Sequence, residues 1–206
     1  MTTTQKLYIP AFEPVGHLYH DAAGQILDSV TTILKAELGL YQYSSQGKAN
    51  LGTYIHKACH YFDEGDLKEE TLLDDARPYV EQYKRALSSE NIKVLRNEVM
   101  RYHVKYMYAG SLDKIVVIGD KAGVLDIKTG KEESWHKWQT GAYAEMVKHE
   151  YKDSRPPFLG RWALYLAPDS YRLVEHNRKQ DFREFLAFLA AHNLKVNNGY
   201  RNRKIQ

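Results

Sequence analysis

The pattern of apolar residues predicts an α/β chain of the α+β type, with a central mixed sheet that starts as an antiparallel meander and is flanked by helices. Three observations predict it. Residues 98–108 alternate, with Glu98, Met100, Tyr102, Val104, Tyr106 and Tyr108 on one side and Arg101, His103 and Lys105 on the other. Two further runs of strand length, 111–118 and 124–128, follow; Ala109-Gly110 reads as the first turn and Gly119–Gly123 as a hairpin loop. Stretches with the 3.6-residue period of amphipathic helices stand before and after these strands.

A length of 206 residues suits one domain with a sizeable core. The expected organisation is a single domain over 1–206, with an N-terminal helical extension at about 29–90 and a basic, mobile tail at about 197–206 carrying Arg201, Arg203 and Lys204. The net charge of +3 permits a nucleic-acid partner without pointing to one. The single cysteine, Cys59, excludes an internal disulfide framework and any four-cysteine zinc or iron–sulfur site. No apolar run approaches the roughly 20 residues that span a bilayer. The segment Met1–Lys6 lacks the apolar stretch of a signal peptide, so the expected location is cytoplasmic.

Taken in order, residues 1–28 read as irregular, broken by Pro10, Pro14, Gly16 and Gly24, with a short edge strand near Leu7-Tyr8-Ile9. Ser29 or Thr31 is placed to cap a helix that runs through Ile33, Leu34 and Leu38 to Gly39. Residues 40–51 are polar and aromatic and read as a loop. From Gly52 to about Asp63, Ile55, Ala58, Cys59 and Phe62 form a helical stripe, and His56 lies beside it. A helix is expected over 71–88, either starting near Pro78 or bending there. After the meander comes a helix from about Ser134 to His149, on which Gln139 and Tyr143 lie four apart and so on one side. Strands at 159–166 and 171–175 and a helix at about 180–191 complete the chain.

The chemistry concentrates on the third strand. Asp126 and Lys128 are two apart and project to the same face of a strand that is otherwise core. Burying a carboxylate and an ammonium is costly without partners. Two readings follow: an ion pair at a strand end, or a metal held by Asp126 with Lys128 facing substrate or water. A hairpin centred near Asp120-Lys121 sets position 113 opposite a position near 128, which brings Asp113, Asp126 and Lys128 to one end of two adjacent strands. Opposed residues have Cβ atoms about 5 Å apart, and two carboxylates that close repel unless a cation lies between them. Glu98, at the start of an apolar face, is a further carboxylate in want of a partner. His56 reads either as a structural histidine or as a ligand.

The motif order Gly52–His56, Gly110–Asp113, Asp126–Gly130 and Gln139–Tyr143, with Glu98 before the second, resembles the PD-(D/E)XK nuclease superfamily, in its RecB-like and phage-exonuclease-like branch. The resemblance covers roughly residues 29–175. It implies a restriction-endonuclease-like core and metal-dependent hydrolysis of phosphodiester bonds in DNA, in phage or bacterial recombination or processing. It implies catalytic roles for Lys128, Asp113, Asp126 and Glu98. Metal ligands would be His56, Asp113, Asp126 and the main-chain carbonyl of Ile127, and contacts to substrate would come from Gln139 and Tyr143. These hard donors suit one or two Mg²⁺ or Mn²⁺ ions. The iron–sulfur cluster of some members is not expected with one cysteine, and no phosphate loop is present to power unwinding. DNA is the implied partner, together with a recombination or single-strand-binding protein; a phage-encoded chain would act in the host cytoplasm. A structure-selective or nicking endonuclease on the same scaffold, and a non-catalytic nucleic-acid-binding module, are the alternatives.

Overall fold

Ser29 begins the first helix as its sequence suggests. Its hydroxyl accepts from the Thr32 N–H at 3.0 Å, and Gly39, at φ 66, closes α1 (Val30–Leu38) in the left-handed conformation that glycine adopts without strain. The computed structural model describes residues 8–14, 18–40 and 46–199. The expected strand near Leu7 lies partly outside them, and so do Arg201, Arg203 and Lys204. Before α1, the segment expected to be irregular forms a three-stranded antiparallel sheet of β1 (Ala11–Glu13), β2 (Leu18–His20) and β3 (Ile26–Leu27). Strands of two or three residues are too short for alternation to be read from sequence.

Helix α2 (Gln46–Glu64) starts earlier than the apolar stripe implies, so the loop expected to reach residue 51 is in part helix. Its first turn carries good helix formers such as Gln46, Lys48 and Ala49 but no core stripe. Gly52 lies inside the helix, at a position where a Cβ would meet the Thr129 hydroxyl at 3.0 Å. Helix α3 (Arg77–Ser89) carries Pro78 in its first turn, where a missing N–H costs nothing. Leu72 and Ala76 precede it and are buried all the same.

Strands β4 (Lys93–His103) and β5 (Tyr108–Ile118) are joined at 104–107, not at Ala109-Gly110. Met107 takes φ 52 and its N–H bonds to the His103 carbonyl at 2.7 Å. The turn holds no glycine, proline, asparagine or aspartate, which hides it. Gly110 has another purpose: the Tyr143 ring lies where its Cβ would be, 2.8 Å away. The next turn is only Gly119-Asp120, with Gly119 at φ 58, and leads into β6 (Lys121–Lys128). Gly123 belongs to that strand rather than to the loop. It is glycine because Gly160 O would stand 1.9 Å from a Cβ.

Helix α4 (His136–Val147) and a 3-10 turn (Lys148–Tyr151) cross over to β7 (Phe158–Leu166), which pairs parallel to β6; β8 (Tyr171–Glu175) returns antiparallel. The sheet is therefore mixed, in the order β4-β5-β6-β7-β8, and the fold is α+β. Helix α5 (Asp181–Asn197) runs further than its apolar stripe. One sheet face packs Val99, Leu112 and Val124 under α1, α4 and α5. The other packs Val116, Leu125 and Ile127 under α2 and α3. Tyr19 and Leu27 of the small sheet pack on Tyr102 and Ala109. Among the described residues no helix is long and apolar enough to cross a membrane.

Candidate active site

The site forms where the meander opens. β5 and β6 pair from Ile118↔Lys121 to Lys114↔Leu125. One more step of that register sets Asp113 opposite Asp126. The expected partner near 128 is off by two positions, because the turn is centred one residue earlier than supposed. The backbone ladder stops at this step. The Ile127 N–H turns instead to Asp113 Oδ2 at 2.7 Å, while β6 stays paired with β7 as far as Lys128↔Tyr165. The two strands fork, and Asp113 fills the crotch.

A second irregularity coincides with the first. Residues two apart on a strand share a face, yet Asn97 bonds Glu64 of α2 at 2.7 Å while Val99 packs under α4. Likewise Leu112 packs under α4 while Lys114 reaches Asp63 of α2. Both strands change phase at the same step, between the pairs Asn97↔Lys114 and Val99↔Leu112. Glu98 makes the change by adopting φ 47, a left-handed conformation that costs a non-glycine residue about 1–3 kcal/mol. Glu98, Asp113 and Asp126 thus form a row across β4, β5 and β6.

The charges in this row are divided unequally. His56 reaches in from α2, with Nδ1 3.3 Å from Asp113 Oδ2. Burial disfavours the imidazolium, but the Asp113 carboxylate more than reverses this and the His56 pKa is raised. Burial also works against ionised Asp113; His56, Lys128 and the Ile127 N–H outweigh it and bring Asp113 down to about 2. Asp126 moves the other way. Its burial and the neighbouring Asp113 charge prevail over Lys128, and its pKa rises to about 6. Glu98 is raised by desolvation of its carboxyl and by Asp113, although the residue as a whole is exposed. Its Oε2 accepts from Ser111 Oγ at 3.4 Å.

Lys128 ion-pairs with Asp126 Oδ2 and donates to Gln139 Oε1 at 2.8 Å. Gln139 Nε2 in turn donates to Tyr143 OH at 3.1 Å. Gln139 and Tyr143 are both buried and bonded inward, so they hold the Lys128 ammonium in place. The Trp135 ring adds a face 5.6 Å from Lys128 Nζ. His56, Asp113, Asp126, Lys128, Gln139 and Tyr143 therefore form one connected chain, with Glu98 at its edge. At Ile127 it is the N–H that engages a site carboxylate.

Two features were missed from sequence. His60, one turn beyond His56, lies near enough to act electrostatically on Glu98, and its buried Nδ1 has no hydrogen-bond partner among the described residues. The i, i+4 spacing of the two histidines was its available signal. The other is a buried pair beside Asp113, Lys114 with Asp63, whose partners are far apart in the chain.

The donor set fits a hard divalent cation: two carboxylates and an imidazole, with Glu98 beside them. Asp126 Oδ2 is buried and accepts no well-formed hydrogen bond among the described residues; the Lys128 charge, and more weakly His56, offset it. Among the described residues, no group of three or more acidic, histidine or cysteine side chains is already gathered to hold a metal.

No protein family model matches this chain, and no curated protein matches it. It is similar to a solved structure described as "Crystal structure of SSO0001", at 16% identity over 79% of this chain and 84% of that one, with a TM-score of 0.37. That score is too low to bear on fold or function.

Proposed function

We propose that the chain is a metal-dependent DNA exonuclease of the PD-(D/E)XK superfamily, built on a restriction-endonuclease-like core and acting in phage or bacterial recombination or DNA processing in the cytoplasm. The observation that carries this reading is the fork: two carboxylates from adjacent strands face each other, and a lysine two residues on is held beside them by a buried glutamine and tyrosine. His56, Asp113 and Asp126 would hold Mg²⁺ or Mn²⁺, which supplies charge for the scissile phosphate and a more acidic attacking water. Holding a cation there would draw Asp113 and Asp126 away from His56 and Lys128, which now neutralise them. Lys128, tied to Gln139, would orient the water or offset charge on phosphate. Glu98 and His60 flank the same row.

The test uses end-labelled single- and double-stranded DNA with Mg²⁺ or Mn²⁺, an EDTA control and a closed circle. Cleavage of linear DNA that spares the circle is expected. Cutting of the circle would replace the exonuclease by an endonuclease on the same fold. Asp113→Ala and Lys128→Ala should each abolish cleavage while the far-UV circular dichroism stays native. Full metal-dependent activity in either variant refutes the proposal.

A further inference from the structure

Away from the fork, a cavity of about 800 Å³ opens where the end of β4, the end of α4 and the 152–159 segment meet. None of His56, Glu98, Asp113, Asp126 or Lys128 lines it. Its walls are aromatic. Tyr151 and Phe158 stack at 4.7 Å, and Tyr8 meets Tyr102 at 5.6 Å and His149 at 5.3 Å. Three exposed cations, Lys148, Lys152 and Arg155, stand among its lining residues. The one carboxylate in the lining, Glu145, is paired with Lys148 at 3.0 Å. Of the acidic groups nearby, Glu150 is committed to Arg101 at 2.5 Å and Asp153 lies 4.0 Å from Lys152. Ser154 also lines the cavity, and its buried Oγ has no hydrogen-bond partner among the described residues.

Cavities of this size hold small ligands with an apolar body and a few polar groups. Aromatic walls suit a flat ring, Lys152 and Arg155 suit an anion, and an orphaned hydroxyl suits an oxygen acceptor. We infer that this cavity binds a nucleotide, with its base against the Tyr151 and Phe158 side and its phosphate toward Lys152, Arg155 and Ser154. The inference does not depend on the chemistry at the fork. The same chemistry is offered by a free mononucleotide and by one unit of a single strand.

The test titrates the full chain in EDTA with dTMP, thymidine and a fluorescent dT12, by calorimetry and anisotropy. Wild type is compared with Lys152→Glu, Arg155→Glu and Tyr151→Ala. Each charge reversal should weaken binding by about tenfold or more at low salt, and Tyr151→Ala by about fivefold or more. Lys152 is exposed and, among the described residues, paired only with Asp153 at 4.0 Å, so its variant tests the site even if Tyr151→Ala unfolds the chain. Loss of dTMP binding in the variants, with thymidine binding more weakly than dTMP, supports a free nucleotide as the ligand. Loss confined to dT12 supports a bound strand. Equal binding of dTMP and dT12 by wild type and both charge variants, or no binding by wild type, overturns the inference. Cleavage is scored separately: an inactive protein whose cavity variants lose nucleotide would refute the nuclease reading and leave this one standing.

Discussion

Lys114 and Asp63 make the sharpest stability test. Their side chains are 2% and 3% exposed, and they form an ion pair across β5 and α2. Lys114 Nζ also donates to Asn97 Oδ1 at 2.8 Å, and Asp63 accepts from Tyr83 OH at 2.8 and 2.9 Å. Both charges are thus fully partnered in the place where their burial is most expensive. Asp63→Ala would leave an ammonium in the core with one amide oxygen; Lys114→Met would leave a carboxylate with one phenol. Removing one member of such a pair costs about 3–5 kcal/mol. For a chain of this size that is a fall in Tm of roughly 6–20 °C. The double variant removes both charges and should cost about 2–4 kcal/mol less than the two singles together. Thermal and urea unfolding at pH 7 measure all three. Single variants within about 2 °C of wild type, or a double variant equal to the sum of the singles, would show that this pair does not anchor the sheet.

Three further outcomes follow from named contacts. Glu98→Gly relieves a left-handed backbone and a repulsion with Asp113, so the folded state should gain up to about 1 kcal/mol, read as a Tm equal to or above wild type; a fall of several degrees would contradict it. Gly110→Ala sets a methyl 2.8 Å from Tyr143 and should lose about 1–3 kcal/mol in urea unfolding, which a neutral result would refute. Burial, with Lys128 and His176 nearby, lowers the pKa of His136 to about 3, so the unfolded chain binds the proton first. The stability His136 contributes is complete above pH 6.5 and is lost as pH falls toward 3. Between pH 7.5 and 5 the loss is about 2 kcal/mol, and His136→Gln, compared with wild type in urea at both values, should abolish that part of the slope. Equal slopes would refute it.

The strands at 159–166 and 171–175 were legible because their runs match the elements to within a residue, and the runs 111–118 and 124–128 mark β5 and β6 while missing three residues at the start of each. Asp126 and Lys128 were legible for the complementary reason: two charges interrupting a core strand signal a cost that something must offset. Other features left no such mark. The turn at 104–107 is built from valine, lysine, tyrosine and methionine, and Ala109-Gly110 imitates a turn while serving the Tyr143 ring. The Glu98 carboxylate stood out at the start of an apolar face, but its backbone did not, since φ 47 has no sequence signature in a glutamate. Lys114 and Asp63 are 51 positions apart and belong to elements with different periods, so neither pattern shows that they meet.

These hidden features bear on the fork itself. A strand pair that kept its alternation through residue 113 would direct Asp113 and Lys114 to opposite faces with no change of phase, and the ladder could continue into Asp126. The phase break at Glu98 and Asp113 stops it there. The Lys114 pair on one side and Tyr143 against Gly110 on the other hold the strand where it breaks. Ile127 N–H, left without a ladder partner on β5, donates to the Asp113 carboxylate instead. The concentration of negative charge and the backbone strain therefore have one cause, and the stability cost falls on the residues whose carboxylates the proposed chemistry needs. Glu98→Gly removes the strain and a carboxylate together, so a variant that is more stable and less active is the expected signature of a site held open at the expense of the fold.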